Sequence, residues 1–303
     1  MRICVVGCGA IGSLFAAHLG RLAEAEVWAY DVAAAQVRAI NDSGLQLTGA
    51  DPMVSRVRAA ADGAEIPPCQ FGIVATKSLH TESAMAATAS VFADAAVCSV
   101  QNGVGNEELI ARHVPRVIRG TTIVAGCVPA PGVVQLDAPG DTWIGPFGPK
   151  PARMDEVRLL ADLLTRSGLR TIALADSRGA QWTKLIFNAA TSPVAALTGL
   201  TMGQLGGAAE ARELISGLAA EGCAVADALG ITLDADPMAL IDEAVSHAHG
   251  HQPSMLQDVL ARRRTEIDVL NGGIVRLGRE AGLPSPLNQA VTALIHGLES
   301  SWP

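Results

Sequence analysis

The sequence predicts an α/β N-terminal domain with a mostly parallel sheet, followed by an all-α C-terminal domain. Three observations carry that prediction. Short β-branched apolar runs alternate with helical patterns through the first half of the 303-residue chain. A glycine-rich turn, GCGAIG at 7–12, stands between the first run and the first helical pattern. Beyond residue 175 only helical patterns follow, separated by Gly, Pro and Asp-Pro.

Arg2–Val6 suits a strand buried on both faces. Apolar residues then recur at helical spacing over 10–21, and Glu26–Tyr30 reads as a second strand that ends in Asp31. Three glycines in six residues cost backbone entropy and need a reason. Between a strand and a helix of a βαβ unit, that reason is a dinucleotide's pyrophosphate. Gly7 permits the tight turn, Gly9 lets the backbone approach the phosphates, and Gly12 lets helix and strand pack closely. The helix N-terminus adds free N–H groups and the positive end of its dipole. The cofactor candidates here are Gly7, Cys8, Gly9, Ala10, Ile11 and Gly12, in a Rossmann-type domain. An ordinary glycine-rich βα turn is the alternative.

Asp31 stands 19 residues after Gly12. A carboxylate there binds the adenosine ribose hydroxyls and repels a 2′-phosphate. No basic residue follows until Arg38, so NAD is expected over NADP, with NADP as the alternative cofactor. Asp31 could instead cap the next helix.

The alternation continues with strands over 70–75, 95–100 and 117–124 and a helix over 83–92. Ligands of open parallel sheets bind beyond the carboxyl ends of strands. Thr76, Lys77, Asn102, Gly103 and Ala125 stand at such ends. Lys77 is expected to face ribose or phosphate, and Asn102 to lie near the nicotinamide and substrate. A plain turn is the alternative for Asn102-Gly103. Segments 133–136 and 142–144 read as a closing hairpin, and 171–174 as the last strand. The domains expected are a dinucleotide-binding one over 1–175 and a helical substrate or catalytic one over 176–303, with substrate in a cleft.

Helices are expected over 178–196, 208–229, 237–246, 256–281 and 287–298. On the first, Lys184 and Asn188 are four apart and share a face. Only three of the 22 basic residues are lysines, and lysine, unlike arginine, can give up a proton. Lys184 is either a snorkelling surface lysine or a desolvated functional amine. Ser254 stands at a helix start, where an N-cap serves equally well. Glu266 falls in the middle of the expected long helix, where pairing with Arg262 or Arg263 at the surface is the plain alternative. His247, His249 and His251 alternate, but no Asp-rich or Cys partner is near, so no metal is expected.

Bulk composition narrows the class. Apolar residues make up 49% and charged ones 17%, enough for a sizeable core and not for disorder. A net charge of −8 offers no field for nucleic acid. No run of 18 apolar residues suggests a membrane span, and the N-terminus is not patterned as a signal peptide. Six cysteines without a CxxC pair read as reduced thiols in a cytoplasm. Val, Ala and Leu on the later helices serve either the domain core or a homodimer interface.

GCGAIG, ATKS, QNG, TKLIFN, SMLQDVLARRRTEIDVLNGG and AGLPSPLN together resemble the ketopantoate reductase family along the whole chain. The resemblance implies a Rossmann domain followed by a helical domain. It also implies nicotinamide-dependent reduction of a 2-keto acid to an R-2-hydroxy acid. It gives Lys184 the role of catalytic lysine and Glu266 that of active-site glutamate. Asn102 and Asn188 match substrate-positioning asparagines, and Ser254 a substrate-binding serine. The chain departs at Ser192 and Met202, where members often carry asparagines, and at Asp31, since typical members prefer NADP. These departures favour, as an alternative, an NAD-dependent R-2-hydroxy acid dehydrogenase for a branched or aromatic substrate. A non-catalytic dinucleotide sensor would not need a proton donor. A 3-hydroxy acid enzyme lacks support in the segment from Ser254 onward.

Overall fold

The computed structural model describes residues 1–49, 51–247 and 250–302. The chain forms two compact units. One comprises Met1–Gln101 and Asn106–Ser177; the other comprises Asn102–Gly105 and Arg178–Pro303.

The first unit begins with β1 (Arg2–Val6), α1 (Ala10–Leu19), β2 (Glu26–Tyr30) and α2 (Ala34–Ser43). Short strands β3 (Leu45–Thr48), β4 (Met53–Ser55) and β5 (Val57–Ala60) follow. Then come β6 (Phe71–Val74), α3 (Thr81–Thr88), β7 (Ala96–Ser99), α4 (Asn106–His113) and β8 (Arg116–Thr122). β9 (Ala125–Ala130), β10 (Val133–Ala138), β11 (Thr142–Pro146), α5 (Met154–Arg166) and β12 (Thr171–Ala173) complete it. The main sheet has the order β12-β11-β8-β7-β6-β1-β2-β5, and a smaller one β4-β3-β10-β9. Every pairing in the main sheet is parallel except that of β11 with β8.

β1 shows why this sheet is stable. Ile3 and Val5 join one buried cluster, Cys4 and Val6 another. Alternate side chains point to opposite faces, so both faces are covered and the strand reads as an unbroken apolar run. The chain leaves β1 for β2 on one side and returns to β6 on the other. That reversal is a topological switch point, where such sheets take their ligands.

The expected hairpin of 133–136 with 142–144 does not form. β10 pairs with β3 and β9 in the small sheet, while β11 pairs antiparallel with β8, Thr142 facing Thr122. The Thr142 hydroxyl donates to Thr122 Oγ1 at 2.8 Å, which secures that register. Neighbours in sequence therefore enter different sheets.

The second unit contains α6 (Arg178–Thr198), α7 (Met202–Gly207), α8 (Ala209–Ala228), α9 (Pro237–His247), α10 (Ser254–Leu260), α11 (Asn271–Glu280) and α12 (Pro286–Ser300). Leu185, Ile186, Ala189 and Val194 of α6 centre its core, packed with Leu218, Ile241, Ile274 and Ile295. Among the described residues, no helix is long and apolar enough to cross a membrane.

The helix expected over 256–281 is interrupted. Residues 261–270 are not helical, and Arg262 adopts a left-handed backbone with φ 50°. Competing bonds account for the break. Arg263 donates its N–H to the Asp258 carbonyl at 2.8 Å and its Nε–H to the carboxylate at 3.2 Å. Thr265 donates its N–H and hydroxyl to Glu299 Oε1 at 2.8 and 2.7 Å. Glu266 therefore sits in a bent connection and not within a helix.

Candidate active site

The glycine turn lies at the switch point. Gly7 has φ +91°, and a Cβ there would meet Thr76 Cγ2 at 2.6 Å, so the turn demands glycine twice over. A Cβ at Gly12 would fall 1.8 Å from the Gly7 carbonyl oxygen, which is the close packing of α1 on the turn. A Cβ on Gly9 would meet no atom within 4 Å. Fold packing thus requires Gly7 and Gly12, whereas at Gly9 packing makes no such demand and the backbone is open to approach. Cys8 is buried in the turn, and Ala10, Ile11 and Gly12 form the first turn of α1, which carries no acidic side chain to compete with an anion.

Asp31 follows β2. Its Oδ2 accepts from Cys8 N–H at 2.7 Å and its Oδ1 from Ala33 N–H at 2.8 Å. Two backbone donors hold the carboxylate beside the glycine turn. Its side chain does not cap α2, whose N-cap is Ala33. Turn, helix end and carboxylate together fit the pyrophosphate and ribose of a dinucleotide.

Thr76 and Lys77 continue beyond β6, and both are partly buried. The amide of Gln101 fixes this loop. Its Nε2 donates to the Thr76 carbonyl at 2.9 Å and to Thr81 Oγ1 at 2.7 Å. Gln101 was not singled out by the sequence, although it heads the QNG motif. Ala125 opens β9 and is partly buried.

The second unit brings three expected residues into one hydrogen-bonded chain. Lys184 Nζ donates to Asn102 Oδ1 at 2.8 Å, and Asn102 Nδ2 donates to Glu266 Oε2 at 3.1 Å. Asn102 is carried on a loop tied to this unit by Val104 N–H to the Val269 carbonyl at 3.0 Å and Gln181 Nε2 to the Gly103 carbonyl at 3.2 Å. Gly103 has φ +82°, and a Cβ there would meet the Val269 carbonyl oxygen at 2.4 Å. The Asn102-Gly103 turn is therefore built to present the asparagine.

Glu266 is 6% exposed, which replaces the surface pairing with arginines that its sequence neighbours suggested. Burial draws the Lys184 amine down to about 8, against the opposing charge of Glu266, which holds it up. The amine thus titrates near physiological pH, where a proton donor works best. Partly buried Asn188 and buried Ser192 stand one and two turns beyond Lys184 on α6. Ser254 is exposed and is the first residue of α10; the N-cap is Pro253. None of these three is hydrogen-bonded to the Lys184–Asn102–Glu266 chain among the described residues. Met202 is buried at the start of α7.

His247 Nδ1 bonds the Glu243 carbonyl of its own helix at 2.9 Å, and the His251 carbonyl accepts from Met202 N–H at 3.0 Å. His249 lies outside the described residues. Among the described residues, no group of three or more His, Cys, Asp or Glu could hold a metal ion.

A doubly wound sheet with a glycine turn at its switch point, followed by a helical domain, defines the class of two-domain NAD(P)-binding oxidoreductases. Comparison with known proteins narrows the class. The profile "Ketopantoate reductase PanE/ApbA" matches residues 3–149, and that for its C-terminal part matches residues 176–299. The 2-dehydropantoate 2-reductase of Pyrococcus horikoshii is 32% identical over 99% of this chain and 98% of its own length. That of Archaeoglobus fulgidus is 29% identical over the same shares, 99% and 98%. Among solved structures, a PanE/ApbA family ketopantoate reductase from Ralstonia eutropha superposes with a TM-score of 0.88 at 30% identity, covering 99% of both chains. D-mandelate dehydrogenase with NADH and anilino(oxo)acetate superposes at 0.90 with 27% identity, again over 99% of both. The chain belongs to the ketopantoate reductase family, whose members are oxidoreductases acting on a CH–OH group.

Proposed function

We propose that this protein is a nicotinamide-dependent 2-keto acid reductase in which Lys184 donates the proton. The observation that carries the reading is the part-buried hydrogen-bonded chain from Lys184 through Asn102 to Glu266. In this reading the first unit binds the dinucleotide through Gly7–Gly12, Asp31, Thr76 and Lys77. The helical unit supplies the acid and the substrate contacts.

When bound, the reduced nicotinamide supplies the hydride that adds to C2 of the keto acid. Negative charge then develops on the carbonyl oxygen, and the protonated amine of Lys184 bonds that oxygen and releases its proton to it. Asn102 accepts from the amine and donates to Glu266, so one amide keeps both in register. The Glu266 carboxylate keeps the desolvated amine charged at neutral pH. Arginine at position 184 would hold its proton and could not serve. Asn188, Ser192 and Ser254 are proposed to hold the substrate's carboxylate and side chain.

This chemistry fixes the pH dependence. The amine is protonated below about 8 and neutral above. Reductive kcat/KM is therefore expected to fall as pH rises through about 8, and the oxidative direction to rise there. Glu266→Gln removes the charge that supports the ammonium, so the falling limb moves to lower pH. A profile measured between pH 6 and 10 checks both, and a limb unmoved by Glu266→Gln contradicts the role given to the carboxylate.

NAD is the proposed cofactor, because the Asp31 carboxylate is held where a 2′-phosphate would be repelled. Asp31→Asn removes the charge and keeps an acceptor. It is expected to raise the NADPH/NADH ratio of kcat/KM by roughly ten- to a hundredfold, the scale of one charged hydrogen bond. An unchanged ratio would remove Asp31 as the selector.

A second reading keeps the chemistry and changes the substrate: an NAD-dependent R-2-hydroxy acid dehydrogenase for a branched or aromatic acid. Ser192 and buried Met202 favour it by replacing polar donors with smaller or apolar groups. The similarity to D-mandelate dehydrogenase with NADH points the same way. The six unpaired cysteines support placing either enzyme in a reducing cytoplasm.

A further inference from the structure

α6 runs from Arg178 to Thr198 with Pro193 in its interior. Proline has no N–H, so it cannot satisfy the carbonyl four residues back, that of Ala189. Another helix provides the missing donor. Asn271 Nδ2 donates to the Ala189 carbonyl at 2.8 Å. Asn271 is fully buried and is the first residue of α11, five positions after Glu266.

The rest of the network sets the orientation of that amide. Asn271 Nδ2 also donates to Asn288 Oδ1 at 2.9 Å. Asn288 Nδ2 in turn donates to the Leu218 carbonyl at 3.2 Å and to Glu221 Oε2 at 2.8 Å. Both partners of the Asn271 nitrogen are acceptors, so the nitrogen must face them. Its Oδ1 has no hydrogen-bond partner. A buried amide oxygen left unsatisfied is costly, which marks the two donated bonds as the reason for this residue.

The two ends of the Lys184–Asn102–Glu266 chain are carried by different segments. Lys184 is on α6, and Glu266 is on the bent connection that leads into α11. The Asn271–Ala189 bond joins α6 to α11 where α6 lacks a bond of its own. An N–H at position 193 would satisfy Ala189 within α6 and leave the spacing of the two segments to apolar packing and the Asn102 bridge. With proline, the carbonyl is available to a neighbour.

We infer that Asn271 is a positioning residue: it stands in for the amide that Pro193 lacks and so fixes the Lys184 helix against the Glu266 segment. This rests on the roles proposed above for Lys184 and Glu266.

The test is a four-protein cycle of the parent, Asn271→Ala, Pro193→Ala and the double variant. The readout is the titration of the Lys184 amine by NMR on lysine-labelled protein without cofactor. The chain has only three lysines, and the signal lost in Lys184→Ala assigns the resonance. In Asn271→Ala the midpoint is expected to fall by about half a pH unit or more, because Glu266 no longer supports the ammonium at short range. Adding Pro193→Ala restores an N–H to the Ala189 carbonyl and is expected to bring the midpoint back toward the parent. A midpoint unmoved by Asn271→Ala, or one that the second substitution does not restore, overturns the inference. If Asn271→Ala does not fold, the double variant is expected to fold and titrate like the parent, and its failure to fold overturns the inference equally. Turnover is read separately: inactive protein with the expected titration pattern would end the catalytic reading of Lys184 and leave the positioning role intact.

Discussion

Lys184→Ala is expected to lower kcat by roughly 10²- to 10⁴-fold, the range supplied by a positioned general acid. NADH affinity should stay within a few-fold of the parent, since the glycine turn and Asp31 belong to the other unit. The loss follows from the chemistry of the amine. Its pKa of about 8 lets it carry a proton at neutral pH and still release it to an oxygen that gains charge. Alanine removes both the electrostatic stabilisation and the proton, and the Asn102 oxygen that faces the amine cannot donate in its place. Steady-state rates with a 2-keto acid, paired with NADH titration by fluorescence, separate the two effects. Equal loss of binding and turnover would place Lys184 in the fold and not in the reaction.

The second large effect is expected from a pair of glycine substitutions. Gly12→Ala puts a methyl group 1.8 Å from the Gly7 carbonyl oxygen, which only a shift of α1 can relieve. Overpacking of this kind costs about 1–3 kcal/mol. Melting should fall by about 2–4 °C per kcal/mol for a domain of this size. NADH binding should be lost as well, because the displaced helix carries the N–H groups proposed to face the phosphates. Gly9→Ala is the counterpart. Its methyl group meets no atom within 4 Å, and its φ of −67° suits any residue. Melting of Gly9→Ala should match the parent while NADH affinity drops, since the methyl group occupies the approach to the backbone. Thermal melts and NADH titrations on both variants check this, and unchanged affinity in Gly9→Ala would contradict the phosphate-binding role of the turn.

The parts foreseen from sequence are those with local causes. The glycine turn, β1, α1, β2 and the buried parallel strands follow from apolar runs, periodicity and glycine spacing within short windows. The small sheet was not foreseen. β4 spans only three residues, and β9 contains Gly126 and Pro129, which read as turn residues and not as a strand. The break at 261–270 was hidden for a different reason. Val259, Ile267, Leu270 and Ile274 keep an apolar rhythm across it, while the bond that bends the chain comes from Glu299, 34 residues beyond Thr265.

Long range also explains what was visible of the site. Lys184 and Glu266 stood out through rarity and family resemblance, but the Asn102 amide that bonds Glu266 comes from 164 residues away. Gln101 and Asn271 fall in the QNG and DVLNGG motifs, but their roles were hidden, because the partners that give them a role, Thr76 and Ala189, are brought to them only by the fold. Pro193 inside a predicted helix was the one available hint. An interior proline requires some other group to satisfy the carbonyl four residues back.

The most direct measurement is the initial rate of NADH and NADPH oxidation with ketopantoate and with a panel of branched and aromatic 2-keto acids. A 2-keto acid reduced with NADH preferred over NADPH, in a reaction that Lys184→Ala slows by about 10²-fold or more, is the predicted result. Tight NADH binding with no oxidation by any 2-keto acid would contradict it and leave a dinucleotide-binding protein without this chemistry.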